Sequence, residues 1–374
     1  MKRITQIPST IPLLLLIIIF CGNPKFGQAQ IYDKKEGGGK PDPQLSQKDN
    51  DYLDRQAKVF LDSATALLNQ FPPTTFPEAR ERGMAKLLLD AVFHEHFAAY
   101  RKPVQQYFRS QVDKVIHELE TTKVDKGVRI WKIYDMGFIA RTQTVTLAFD
   151  LVTGITSGSP DFAMSAEQVE RLAKQCDALL ITHRHPDHAD KVVATKFLKL
   201  GLQVLAPEQV WKEDPISENI IHPERMADKI LPLKLKKNTL DIVVYPGHQM
   251  KSIDCNVYLV KTPEEIWLAH NGDQINEGDF MVDWEWIDKI KDTQKVDVLM
   301  TNAWTTDIMR MVKGFNPKLV LPGHEIELGH TVWDRLPYWG DDEYLGLNYA
   351  ELKKSIYPGV VTVWGESYHY IPKK

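Results

Sequence analysis

The stretch Thr182-His183-Arg184-His185-Pro186-Asp187-His188 constrains this chain more than any other part of it. Three imidazoles and a carboxylate fall within positions 183–188. Neither the 3.6-residue period of a helix nor the two-residue period of a strand turns all four to one side. A loop leaving a strand can converge them, and the short apolar run Ala178 to Ile181 directly before it reads as a buried strand. Imidazole nitrogen and carboxylate oxygen together suit zinc, with open positions left for water in a catalytic site. The same donors also accept iron or manganese.

The chain of 374 residues, 43% of them hydrophobic, can bury a full-sized core, as one large domain or two smaller ones. Its first residues read differently. Lys2 and Arg3 precede an apolar run from Ile11 to Phe20, which is short for a membrane span, and Gly27 and Ala29 stand at the −3 and −1 positions of a cleavage site. Residues 1–29 are therefore expected to be a signal peptide and the protein to be exported, periplasmic or secreted. Cys21 invites a lipid anchor, but Phe20 is bulky where that signal wants a small residue. Cleavage after Ala29 removes Lys2, Arg3 and Lys25 and no acid, so the net charge moves from −4 to −7. Such an acidic balance argues against nucleic acid as partner. Cys176 and Cys255 remain, both in apolar contexts, and imply no disulfide scaffold.

Residues 30–50, rich in Gly, Pro, Lys and Asp, read as a flexible leader. Residues 51–125 read as a helical extension. Leu53, Ala57, Phe60, Leu61, Ala64, Leu67 and Leu68 recur at three and four residues, and Pro72 and Pro73 stop that helix. A second apolar face comprises Met84, Leu87, Leu88, Ala91 and Val92, and a third Val104, Phe108, Val112, Val115 and Leu119. These helices are expected to form a cap, a lid or a contact between copies of the chain. From Val128 the period changes to that of strands, at 128–134 and 144–149. A helix follows, with the capping box Ser165 and Gln168. Helix 191–200 and strands at 178–181, 204–206, 241–245, 256–260, 266–269, 296–300 and 319–321 complete an alternation that indicates layered α/β packing.

His-x-His-x-Asp-His after a buried strand resembles the signature of the metallo-β-lactamase fold superfamily. Further matches follow in order: Pro246-Gly247-His248, Asn271-Gly272-Asp273 and Pro322-Gly323-His324, each after an apolar run. The resemblance covers about Val128 to the C-terminus and implies an αββα sandwich over residues 126–374, the catalytic domain. It implies that His183, His185 and His248 hold one metal, that Asp187, His188 and His324 hold a second, and that Asp273 bridges them. Two zinc ions sharing a water would supply a hydroxide that attacks a carbonyl or phosphoryl centre. Asp187 and Asp273 are the catalytic carboxylates in this reading, with Asp273 passing the proton onward. Asp150, ending the strand 144–149, stands where the fold commonly places a carboxylate behind the metal loop, or caps the strand end. His270 would end its strand beside the site, supporting a ligand or meeting substrate.

His185 separates the chain from iron flavoproteins of this fold, which usually carry Glu there. Asp273 stands where true lactamases often have Cys, and the interval from Asp273 to His324 is too short for the inserted domain of nucleic-acid-processing members. Asp190, where many relatives have Gly, is similar to lactonase and phospholipase-D-like members, while Gln274 departs from their Gly-Asp-Thr. The expected substrate is a small ester, lactone or phosphodiester. The competing classes are a mononuclear iron enzyme of persulfide dioxygenase type and a non-catalytic metal-binding protein; metal content and turnover separate them. His94 and His96 flank Glu95 on a helix and cannot face the same way. His222, His330 and His369 carry no spacing signal, and Trp284, Trp286 and Trp304 line the pocket or fill the core.

Overall fold

The computed structural model describes residues 41–154, 159–275, 281–303, 305–324, 328 and 349–373. The signal at 1–29, Trp304 and His330 lie outside the described residues. Among these residues no helix is long and apolar enough to cross a membrane.

The described residues open with three helices: α1 (Gln47–Gln70), α2 (Arg80–Phe93) and α3 (Lys102–Thr121). Helix α1 begins inside the stretch expected to be leader, because Ser46 caps it by accepting the Asp49 amide hydrogen. The apolar faces of α1 and α3 are turned inward, with Ala57, Leu61, Ala64 and Leu68 buried on one and Val104, Phe108, Val112, Val115 and Leu119 on the other. Helix α2 corrects the expectation. Met84 and Leu87 face solvent, while Arg82 and Lys86 are buried with Ala85, Leu89, Val92 and Phe93. The inversion has an electrostatic cause. Arg82 meets Glu366 with both terminal nitrogens, at 2.7 and 2.8 Å, donates to the carbonyls of Phe71 and Val361, and lies 3.4 Å from Glu78. Lys86 also pairs with Glu78. Charged groups enter an interior when paired and hydrogen-bonded in this way.

Strands β1 (Val128–Lys132), β2 (Phe138–Arg141) and β3 (Thr146–Phe149) lead to α4 (Ala166–Gln175), β4 (Ala178–Leu180), α5 (Lys191–Lys199) and β5 (Gln203–Leu205). Then come β6 (Met226–Lys234), β7 (Thr239–Met250), β8 (Ile253–Lys261) and β9 (Trp267–His270). Helix α6 (Met281–Thr293), β10 (Val298–Asn302), α7 (Ile308–Phe315), β11 (Leu319–Gly323), α8 (Tyr349–Lys354) and β12 (Ser367–Tyr370) finish the chain. Both halves of the Ser165–Gln168 capping box are present on α4. Among the described residues the strands make two six-stranded sheets, in the orders β12-β1-β2-β3-β4-β5 and β11-β10-β9-β8-β7-β6.

Side-chain alternation assembles the layers. Phe138, Leu147, Phe149 and Leu180 of the first sheet join Leu240, Ile242, Val244, Leu268 and Leu321 of the second in a core between the sheets. The intervening residues Ile139, Ala148, Leu179, Val243 and Tyr245 point outward into a second core shared with the helices. Both faces of the central strands are covered, which gives an αββα sandwich. The opening helices are part of that outer layer. Trp131 Nε1 of β1 donates to Glu118 of α3 at 2.8 Å, and Phe108 of α3 stacks on Phe162. They bury a sheet face, so removing them would bare apolar core.

Candidate metal centre

Strands β3 and β4 are parallel neighbours in one sheet, as are β9, β10 and β11 in the other. Parallel strands deliver their following loops to the same end of a sheet. Asp150 follows β3, the 183–188 loop follows β4, Asp273 follows β9, and His324 follows β11. His248 departs from expectation: it lies within β7, paired with Asp254 of β8, because that hairpin continues past Pro246 and Gly247.

The two sheets are tied at this end. Asn256 N donates to Thr182 O at 2.7 Å, and Tyr258 Oη donates to Ile181 O at 2.9 Å. Gly272 adopts φ +51°, and a Cβ there would meet Thr182 Oγ1 at 2.4 Å. Only glycine combines that backbone with that approach. Gly272→Ala is therefore expected to push the Asp273 turn off the metal loop and weaken metal binding at least tenfold, read by chelator competition. Unchanged affinity would show that the close approach is not needed.

Two groups of donors converge. Asp187, His188, Asp273 and His324 present ligand atoms within 4.8 Å of one another, as do His183, His185 and Asp273. Asp273 is common to both. Its Oδ1 lies 2.8 Å from His324 Nε2, and its Oδ2 lies 3.2 Å from His188 Nε2 and 3.7 Å from His183 Nε2. His248 belongs to neither group. Its Nδ1 lies 2.8 Å from Asp283 Oδ1, and its backbone N–H donates to Asp283 Oδ2 at 2.9 Å. Sequence reading missed Asp283, a fully buried carboxylate of α6 that follows no motif. Donation of Nδ1–H to Asp283 leaves Nε2 as the ring's lone-pair donor.

Asp150 is fully buried with φ +41°. It accepts from the Thr182 amide at 2.7 Å and from Thr182 Oγ1 at 2.6 Å, and its Oδ2 lies 2.8 Å from His188 Nδ1. This fixes His188 with Nε2 toward Asp187, Asp273 and His324. His270 is fully buried too. Its Nδ1 accepts from Gly272 N at 3.3 Å, so Nε2 donates to Met136 O at 3.0 Å, and its ring stacks on Phe149. It supports the turn before Asp273 from behind. Asp190 caps α5 and accepts from Thr153, which gives this residue a structural employment. Trp284 is core, and Trp286 stacks on Tyr245.

The electrostatics and one orphan atom fit divalent cations. Burial, with help from His188, pushes the His183 imidazole down to about 3, so it is a neutral donor. Its Nε2 is buried and has no hydrogen-bond partner. Burial likewise lowers the pKa of His185. At His188 burial opposes charge, but Asp273, Asp187 and Asp150 outweigh it and raise the pKa well above the ordinary imidazole value. A field of three carboxylates that draws a proton also draws a metal cation. Burial would raise the Asp273 carboxyl, yet His188 and His324 hold it well below the usual range.

No protein-family model and no curated protein matches the chain. Solved structures are similar to it. They include a metallo hydrolase from the archaeon Ignicoccus hospitalis, 18% identical over 66% of this chain and 99% of that one, with a TM-score of 0.47. The metallo-β-lactamase fold protein YhfI from Bacillus subtilis is 12% identical over 66% of this chain and 100% of that one, TM-score 0.41. The diiron β-hydroxylase CmlA from Streptomyces venezuelae is 13% identical over 85% of this chain and 63% of that one, TM-score 0.48. The two six-stranded sheets between helical layers, with one carboxylate shared by two groups of donors, form the αββα sandwich that the resemblance in the sequence implies.

Proposed function

We propose that this chain is an exported metal-dependent hydrolase that holds two divalent cations, zinc first among them, and cleaves a small ester, lactone or phosphodiester. The observation that carries the reading is the sharing of Asp273 between two groups of buried donors. His183 and His185, joined by His248 as the resemblance implies, would hold one cation; Asp187, His188 and His324 would hold the other. Bound cations of this kind acidify water and polarise a substrate oxygen. The protein's own part is orientation and proton handling. Asp150 and Asp283 fix the tautomers of His188 and His248 through Nδ1, so each ring offers Nε2. Asp187, 14% exposed where Asp273 is 4%, is the better placed of the two carboxylates to exchange a proton with solvent, a role that the sequence expectation gave to Asp273. Asp273 keeps its oxygens committed to the two groups of donors. Export rests on the signal read at residues 1–29, and the lactonase and phospholipase-D-like pattern guides the choice of substrates.

The test combines elemental analysis with turnover of a panel of esters, lactones and phosphodiesters by the mature chain. Turnover that is lost on chelation and restored by zinc supports the reading. Bound metal with no turnover of any member would favour a binding protein, and a single bound iron would favour oxidative chemistry.

A further inference from the structure

Imidazoles are not the only groups that engage the shared carboxylate. Asn302 Nδ2 donates to Asp273 Oδ1 at 2.7 Å, and Gln249 Nε2 donates to Oδ2 at 3.1 Å. One amide thus serves each oxygen, and both amides come from strands. Asn302 ends β10, where its backbone N–H donates to Asn271 Oδ1 at 3.3 Å. Gln249 sits on β7 directly after His248. Both side chains are buried, at 1% and 4% exposure. An unpaired atom marks Gln249 further. Its Oε1 is buried without a hydrogen-bond partner, an unfavourable state for an amide oxygen. Flipping the amide would set that oxygen against the Asp273 carboxylate, acceptor against acceptor, so the donor Nε2 is the end that faces Asp273.

We propose that Gln249 and Asn302 are positioning residues, a pair of carboxamides that clamp Asp273 in the one orientation that faces both cation positions. The inference rests on the binuclear reading above. Each carboxylate oxygen has two lone pairs. One amide per oxygen occupies one pair, leaves the other for a cation, and stops rotation about the Cβ–Cγ bond. Neutral donors suit the task. Lysine or arginine would neutralise the charge the cations need, and a carboxylate would repel Asp273. Neither residue carries a sequence signal, since one follows a ligand and the other ends a plain apolar strand.

Chelator competition with zinc on the full mature chain tests the clamp, together with thermal unfolding of the metal-free protein. Gln249→Leu and Asn302→Leu are each expected to weaken zinc binding about 10- to 100-fold while the metal-free protein unfolds near the wild-type temperature. The near-isosteric Gln249→Glu and Asn302→Asp, which keep the volume and lose the donor, are expected to lose at least as much, and they serve where a leucine variant fails to fold. Zinc affinity that stays at the wild-type value in all four, or that falls only in proportion to lost stability of the metal-free protein, overturns the clamp. Wild-type protein that binds no zinc overturns the binuclear reading, and the clamp falls with it.

Discussion

Asp273→Ala is expected to cost the chain both bound cations and to lower hydrolysis by three orders of magnitude or more, a loss of about 4 kcal/mol in transition-state stabilisation. Among the described residues only Asp273 belongs to both groups of donors, so no other single change there has this reach. Its removal also leaves the Nε2 atoms of His188 and His324, 3.1 Å apart, without the carboxylate oxygens between which they sit. Asp187→Ala is the internal control. It takes a donor from one group only, so one cation should remain. Elemental analysis of the two variants beside wild type, with circular dichroism to confirm folding, reads both results. If Asp273→Ala keeps its full metal content, the carboxylate does not bridge.

The second large effect concerns stability. Arg82→Ala is expected to destabilise the protein by about 3–5 kcal/mol, because it leaves the Glu366 carboxylate buried and unpaired. The Arg82–Glu366 pair joins α2 to the turn that leads into β12, sequence positions 284 residues apart. The pairing predicts strong coupling. Arg82→Met with Glu366→Leu should cost much less than the two single changes summed, since no lone charge then remains inside. Denaturant unfolding measures all three. A cost below about 1 kcal/mol for Arg82→Ala would mean that solvent reaches Glu366 and that the helices are held by apolar contact alone.

What the sequence revealed, and what it hid, follows from the range of the interactions involved. The 183–188 loop is legible because its three imidazoles and carboxylate crowd directly behind an apolar strand, and Gly272-Asp273 and Gly323-His324 stand at later strand ends. The α4 capping box was legible because it is complete within four residues. The inward face of α2 was not. Met84 and Leu87 have the right spacing for a core, but Arg82 and Lys86 win the interior because Glu78 and Glu366 wait there, and Glu366 is remote in sequence. Strands β2, β6 and β12 carry no such signal. Strand β2 is four residues between turns, and β6 and β12 are edge strands with mixed polarity and only partial burial. Pro246 and Gly247 read as a strand ending, which puts His248 beyond it, yet β8 carries the ladder past them. Asp283, Gln249 and Asn302 act on ligands from other elements, so their partners appear only once the chain is folded.

The proposed binuclear centre is tested most directly by the metal content of the wild-type chain, purified without chelator and measured by elemental analysis. About two divalent ions per chain, zinc foremost, are expected from two donor groups that share one carboxylate. Protein that carries no metal, and takes up none when zinc is supplied, would contradict it.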